Sequence, residues 1–216
     1  MFVKGKLWPA MGALAAALAL LAGSLYVTSS GRSNGTAIAF EGASGTCPAS
    51  DFAARIEGLN VGEVAAFEPL ATPVDLNALA FEDREGAPVT IADFAGRTVL
   101  LNLWATWCAP CRKEMPELEA LRDAMGGADF EVVALSIDAG TAEKPRRFYE
   151  ETGLTSLPFY HDGTMKSFVT LKKADLAPGL PTTMLIDAKG CARGVLKGAA
   201  DWSSADARAL VEAAKG

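Results

Sequence analysis

Residues 104 to 116 read Trp104-Ala-Thr-Trp-Cys108-Ala-Pro-Cys111-Arg-Lys-Glu114-Met-Pro116, and this stretch decides the fold. Upstream of it, Thr98 to Trp104 is an apolar run broken only by Asn102 and preceded by Gly96, the pattern of a fully buried central strand. Downstream, Met115, Leu118 and Leu121 recur on one face as far as Gly126-Gly127, which predicts a helix from about Cys108 to Met125. The two cysteines therefore sit where a buried strand gives way to a helix. At this spacing they can close into a disulfide within the first helical turn. The first of them also faces unpaired backbone N–H groups and the positive end of the helix dipole, which stabilise a thiolate. In such C-x-x-C pairs the thiol pKa falls from about 8.5 into the ~3.5 to 7.5 range. Cys108 is the expected attacking sulfur and Cys111, one turn further in, the resolving sulfur. Two rival readings exist. A zinc site needs two more ligands, and beyond this pair the chain offers only His161, Cys47 and Cys191, with no second C-x-x-C. A purely structural disulfide has no need of Trp107 before the pair or Pro110 inside it.

Working outward, Leu79-Ala-Phe81 and Val89-Thr-Ile91 flank a polar stretch with Gly86 and read as a hairpin. Phe130 to Ile137 is the next strand, and Lys144 to Glu151 a charged helix with a solvated face. The region from there to Ala177 has no clear pattern. Thr182 to Asp187 and Cys191 to Lys197 form a late hairpin around the Asp187-Ala-Lys-Gly190 turn, and Asp206 to Ala214 closes as an amphipathic helix. A β-α-β unit followed by β-β-α around one sheet is an α/β sandwich. His161, beside Asp162 and with no partner at ligand spacing, is expected in a surface loop. Trp107 is expected to be partly exposed beside Cys108.

The chain has 216 residues, half of them hydrophobic and 21% charged, so whole-chain disorder is excluded. A formal net charge of −6, with no local basic stripe, argues against a nucleic-acid partner. Lys4 and Lys6 precede Leu7 to Val27, 21 residues without a charge, long enough to span a bilayer as helix. The lysines orient the remainder away from the cytoplasm. Two readings remain, a retained signal anchor and a cleaved signal peptide, with the small residues near Leu21-Ala22-Gly23-Ser24 suiting cleavage and the length of the run suiting the anchor. The expected organisation is an anchor over residues 1–27, a Ser/Gly/Thr/Ala-rich tether over 28–46, a helical appendage over 47–73 and a main domain over 74–216. In the appendage Ser50 is placed to cap a helix carrying Phe52, Ile56 and Leu59 on one side.

The Trp-Ala-Thr-Trp-Cys-Ala-Pro-Cys run resembles the thioredoxin superfamily and, with Arg112, Lys113 and Glu114 after it, its exported TlpA/ResA branch. The resemblance covers about Leu76 to Ala214. It implies a thioredoxin-like sandwich with a central mixed sheet, an N-terminal β-hairpin and an exported thiol-disulfide oxidoreductase acting as a reductant in the bacterial periplasm, anchored to the inner membrane. Pro116 predicts a kink within the helix. Leu180-Pro181 matches the family's cis-proline loop, which together with Trp107 would meet a partner's chain. Glu114 matches an acidic residue of this branch that tunes the cysteines or moves a proton, against the reading of an ordinary solvated carboxylate. Asn102 departs from the buried aspartate that cytoplasmic thioredoxins carry, which leaves proton handling to Glu114 or water. The resemblance pairs Cys47 with Cys191 as a structural disulfide, in keeping with an exported protein; two free buried thiols are the alternative. It implies no cofactor beyond the Cys108–Cys111 pair and no resident metal. As partners it implies a membrane electron donor of the thioredoxin-reducing type and the disulfides of exported proteins: a Sco-like copper chaperone, the copper-site subunit of cytochrome oxidase or, alternatively, apocytochrome c. A copper-binding or docking module without redox turnover is the reading from another class.

Overall fold

The computed structural model describes residues 47–215, so the expected anchor and tether over 1–27 and 28–46 lie outside the described residues. Among the described residues no helix is long and apolar enough to cross a membrane.

The chain builds β1 (Phe67–Asp75), β2 (Ala80–Glu82), β3 (Pro88–Thr90), β4 (Thr98–Trp104), β5 (Phe130–Ser136), β6 (Phe159–His161), β7 (Thr182–Ile186) and β8 (Cys191–Lys197). Among them run helices α1 (Phe52–Arg55), α2 (Ala109–Met125), α3 (Glu143–Thr152), α4 (Lys166–Lys173) and α5 (Ala205–Lys215). The strands form one sheet in the order β1-β8-β7-β4-β5-β6-β2-β3. β4, β5 and β6 are parallel, while β7 runs antiparallel to β4 and β8 antiparallel to β7. The sheet is therefore mixed and β4 lies in its interior. All seven residues of β4 are buried, as a strand covered on both faces requires.

The right-handed crossovers expected of β4-α2-β5 and β5-α3-β6 put α2 and α3 on one face. Contacts across that face agree. Glu119 on α2 accepts N–H bonds from Thr155, Ser156 and Leu157 just beyond α3, at 2.7, 2.7 and 3.2 Å. Trp104 at the end of β4 packs on Phe148 and Tyr149 of α3, with ring centroids 5.2 and 5.9 Å apart. Pro116 lies inside α2 rather than at its end.

Several expectations change. β1 crosses the expected junction at residues 73 and 74 and pairs with β8 at both its ends, with a register shift between Pro69 and Val74. Residues from Phe67 onward thus belong to the sheet, and the helical appendage shrinks to α1, which buries Phe52, and a single helical turn at Gly62–Val64, with Ile56 between them also buried. The patternless region contains β6 and α4. His161, expected at the surface, is buried at the end of β6, where its Nε2 lies 2.8 Å from the Asp138 carbonyl oxygen. That hydrogen bond compensates its loss of water.

Candidate active site

β4 ends at Trp104, the chain turns through Ala105-Thr106-Trp107, and Cys108 becomes the N-cap of α2 with extended backbone (φ −89°, ψ 102°). Its Sγ accepts the Cys111 N–H at 3.3 Å, in the place a serine or aspartate oxygen occupies at other helix starts. Cys108 and Cys111 are joined as a disulfide with Cα atoms 5.3 Å apart. The two sulfurs are not equivalent. Cys108 keeps 6% of its surface exposed, Cys111 none, and Trp107 beside them is 66% exposed. Ala109 and Pro110 are exposed and start the helix, where a proline costs no intrahelical bond.

Leu180-Pro181 is a cis peptide bond. Thr182 pairs with Leu103, so Pro181 stands at the end of the sheet from which the cysteine loop leaves. Leu180 is half-buried and Pro181 buried. The register thus brings the cis-proline and the cysteine pair to one sheet end, although they are seventy residues apart in the chain.

Beneath the pair lies a buried polar cluster. Glu114 is only 2% exposed. Its Oε1 accepts from Asn102 Nδ2 at 2.7 Å and from Trp202 Nε1 at 3.1 Å, and Asn102 also donates to Thr183 Oγ1 at 2.9 Å. Burial pushes the Glu114 carboxyl up to about 8, and the bonds from Trp202 and Asn102 offset only part of that. Glu114 Oε2 and Asn102 Oδ1 are buried without a hydrogen-bond partner. An ionised Glu114 would leave Oε2 a buried charged acceptor with no donor, which is a second reason for the neutral form. Of the two readings of Glu114, the solvated carboxylate is thereby excluded. Trp202 and Thr183 went unread in the sequence, but the burial of Glu114 had a signal: Cys111, Glu114, Met115, Leu118 and Leu121 share one buried stripe of α2.

A second unread group stands on the other side of the loop. The Asp138 carboxylate accepts from the Thr106 N–H at 2.9 Å, from Thr106 Oγ1 at 2.6 Å and from Ser136 Oγ at 3.0 Å.

Cys47, far from this end, forms a disulfide with Cys191 across a sequence separation of 144. Next to it the buried Arg193 donates to the Pro48 carbonyl at 2.8 Å and pairs with Asp187 at 2.6 Å.

Comparison with known proteins agrees with this architecture. Thiol-disulfide oxidoreductase ResA of Oceanobacillus iheyensis is 34% identical over 120 residues, 55% of this chain and 58% of that protein. ResA of Bacillus thuringiensis subsp. konkukian is 35% identical over 116 residues, 54% of this chain and 64% of that protein. The chain thus spans less than two thirds of the length of these curated relatives. Among solved structures, a DsbE-type thiol:disulfide interchange protein from Chlorobium tepidum is 26% identical with a TM-score of 0.54, covering 63% of this chain and 92% of that one. A thiol-disulfide oxidoreductase from Bacteroides vulgatus is 30% identical with a TM-score of 0.52, covering 68% of this chain and 96% of that one. These likenesses identify the sandwich as thioredoxin-like. The Redoxin family model matches residues 67–211, from the first residue of β1 into α5. With two thirds of its length inside that match, the chain belongs to the Redoxin family.

Proposed function

We propose that this protein is a thiol-disulfide oxidoreductase that reduces disulfides in exported proteins. The observation that carries the reading is the asymmetric Cys108–Cys111 disulfide at the start of α2, where Cys108 keeps a little exposed surface and Cys111 keeps none. In the reduced form the Cys108 thiolate, held by the Cys111 N–H and the helix dipole, attacks one sulfur of a target disulfide. A mixed disulfide forms, and the displaced target thiolate takes a proton. The Cys111 thiolate then attacks Cys108 Sγ and releases the second target thiol. Two electrons and two protons pass from the cysteine pair to the target, and Cys108–Cys111 is left oxidised. Glu114, one helical turn beyond Cys111 and neutral around pH 7, is placed to hold a proton during that exchange. Trp107 and the Leu180-Pro181 loop form the surface a target meets.

The turnover needs a membrane electron donor of the thioredoxin-reducing type, and the chain acts from an inner-membrane anchor facing the periplasm. Its substrates are disulfides of copper-site cysteines, in a Sco-like chaperone or the copper-site subunit of cytochrome oxidase. Copper binds thiolates and not disulfides, so their reduction permits metallation. Normal oxidase assembly at limiting copper in a strain lacking the protein would refute this substrate class.

The direction of electron flow is tested by titrating the Cys108–Cys111 couple of the full chain against glutathione and dithiothreitol. A potential well below about −200 mV supports a reductant. A value near −120 mV, that of a strong oxidant, reverses the assignment.

A further inference from the structure

We infer that Asp138 is a positioning residue for the attacking cysteine: it locks the Thr106-Trp107 turn so that Cys108 sits in its N-cap geometry. The inference rests on the oxidoreductase reading and assigns that same site a support outside its cysteine motif. Asp138 follows β5, the parallel neighbour of β4, and is itself buried. Its two carboxylate oxygens take different donors of one residue, Oδ2 the Thr106 N–H and Oδ1 the Thr106 hydroxyl. A bidentate grip of this kind fixes both the backbone and the side chain of Thr106. It also satisfies an N–H that the sheet ladder has just released.

Asp138 is held in turn from both sides. Ser136 Oγ donates to Oδ2 at 3.0 Å and accepts the Asp138 N–H at 3.3 Å, while His161 Nε2 bonds the Asp138 carbonyl from β6. The Ile137 N–H, one residue earlier, bonds the Trp104 carbonyl at 2.9 Å. The chain from Trp104 to Thr106 is therefore bonded to residues 137 and 138 by side chain and backbone alike. On its far side the Cys108 N–H donates to the Ala105 carbonyl at 3.0 Å. The turn that aims Cys108 has its own closing bond, and its outer wall is Asp138. That explains how Trp107 stays displayed at 66% exposure instead of folding onto the core.

Two effects of Asp138 on Cys108 have opposite signs. As a positioning group it preserves the Cys111 N–H bond to Cys108 Sγ and so lowers the thiol pKa. As a negative charge it raises that pKa. The titratable groups around the turn are His161 on β6 and Cys111, Arg112 and Glu114 on α2; each is kept in every variant below, so their contributions cancel.

The test is the pH profile of iodoacetamide alkylation of the fully reduced full-length chain, read at Cys108 by mass spectrometry. Thr106→Val keeps the charge and removes the hydroxyl bond. Its alkylation midpoint should move alkaline by about 0.5 to 1 pH unit, the size of one weakened N-cap bond. Thr106→Ser, which keeps the hydroxyl, should match the parent. Asp138→Asn should also move alkaline although it loses a negative charge. An acid shift in Asp138→Asn would show that the charge dominates and would overturn the inference. An unmoved midpoint in folded Thr106→Val would overturn it as well, whatever happens to the melting temperature. Alkylation uses no partner, so a potential near −120 mV would defeat the reductant reading and leave this result standing.

Discussion

Replacing Glu114 by glutamine isolates the cost of a buried carboxylate. Folded Glu114 titrates at about 8 because burial disfavours its charge, whereas the same group in an unfolded chain titrates near 4.5. Between those values the folded state holds the proton and the unfolded state releases it. Stability therefore falls as pH rises through this window, and the loss is complete above about pH 8. At about 1.36 kcal/mol per unit the full loss has an upper bound of roughly 5 kcal/mol. Glutamine leaves the Oε1 acceptor for Asn102 and Trp202 and puts a permanent donor where Oε2 lacks a partner. Glu114→Gln should be close to the parent at pH 5 and more stable by several kcal/mol at pH 9. In a domain of this size that is about 10 °C in melting temperature. The assay is urea unfolding of both proteins with the disulfides intact, at pH 5, 7 and 9, so that the cysteines do not titrate. Other ionisable groups are common to the pair and drop out of the difference. Parallel pH profiles for parent and variant would refute the reasoning, because they would mean that Glu114 is already ionised at neutral pH or is hydrated in the fold.

Four further outcomes follow from the same geometry. Changing both Cys47 and Cys191 to alanine opens a link of sequence separation 144 and should cost up to about 5 kcal/mol in denaturant unfolding, with the Cys108–Cys111 potential unchanged. Arg193→Ala strips the Pro48 carbonyl and Asp187 of a buried partner and should cost about 3 kcal/mol by the same measurement. Trp107→Ala should leave stability within about 0.5 kcal/mol, since the ring is mostly exposed, while slowing mixed-disulfide formation with a protein target. Asn102→Asp sets a second carboxyl against Glu114; the two should titrate as a pair, with unfolding studies showing a steeper loss of stability towards alkaline pH than the parent.

What was legible in the sequence follows from where each signal resides. β4 matches the expected Thr98 to Trp104 run end to end because a strand buried on both faces writes its whole length in apolar residues. The same holds for the late hairpin, whose Asp187 to Gly190 turn is local chemistry. β1 was missed because it is an edge strand: of its residues only Phe67 is buried, and Pro69 and Pro73 are tolerated only where a ladder bond is not needed. β6 has three residues, too few for any period, and is held by its neighbour β5 rather than by its own composition. α4 opens after Met165 in a left-handed conformation, and its first turn is tied by the Asp162 carboxylate, which bonds the Ser167 N–H at 2.7 Å. None of that resembles a standard helix start. The burial of His161 depends on a carbonyl 23 residues away. The cysteine pair was legible because its chemistry is local. Trp202, 88 residues from Glu114, was not.

The Cys47–Cys191 bond also decides how the fold meets mechanical load. Any pull arriving from the chain before Cys47 is delivered to the first residue of β8, a strand flanked by β1 and β7. Without the bond the same pull would travel through α1 into β1 and unzip the outermost strand one ladder bond at a time. With it, the pull must shear β8 against two neighbours together, loading many backbone hydrogen bonds at once. Force entering at Cys47 is thereby taken up inside the sheet instead of at its hem, and the Arg193 bond to the Pro48 carbonyl lies beside the point where it enters.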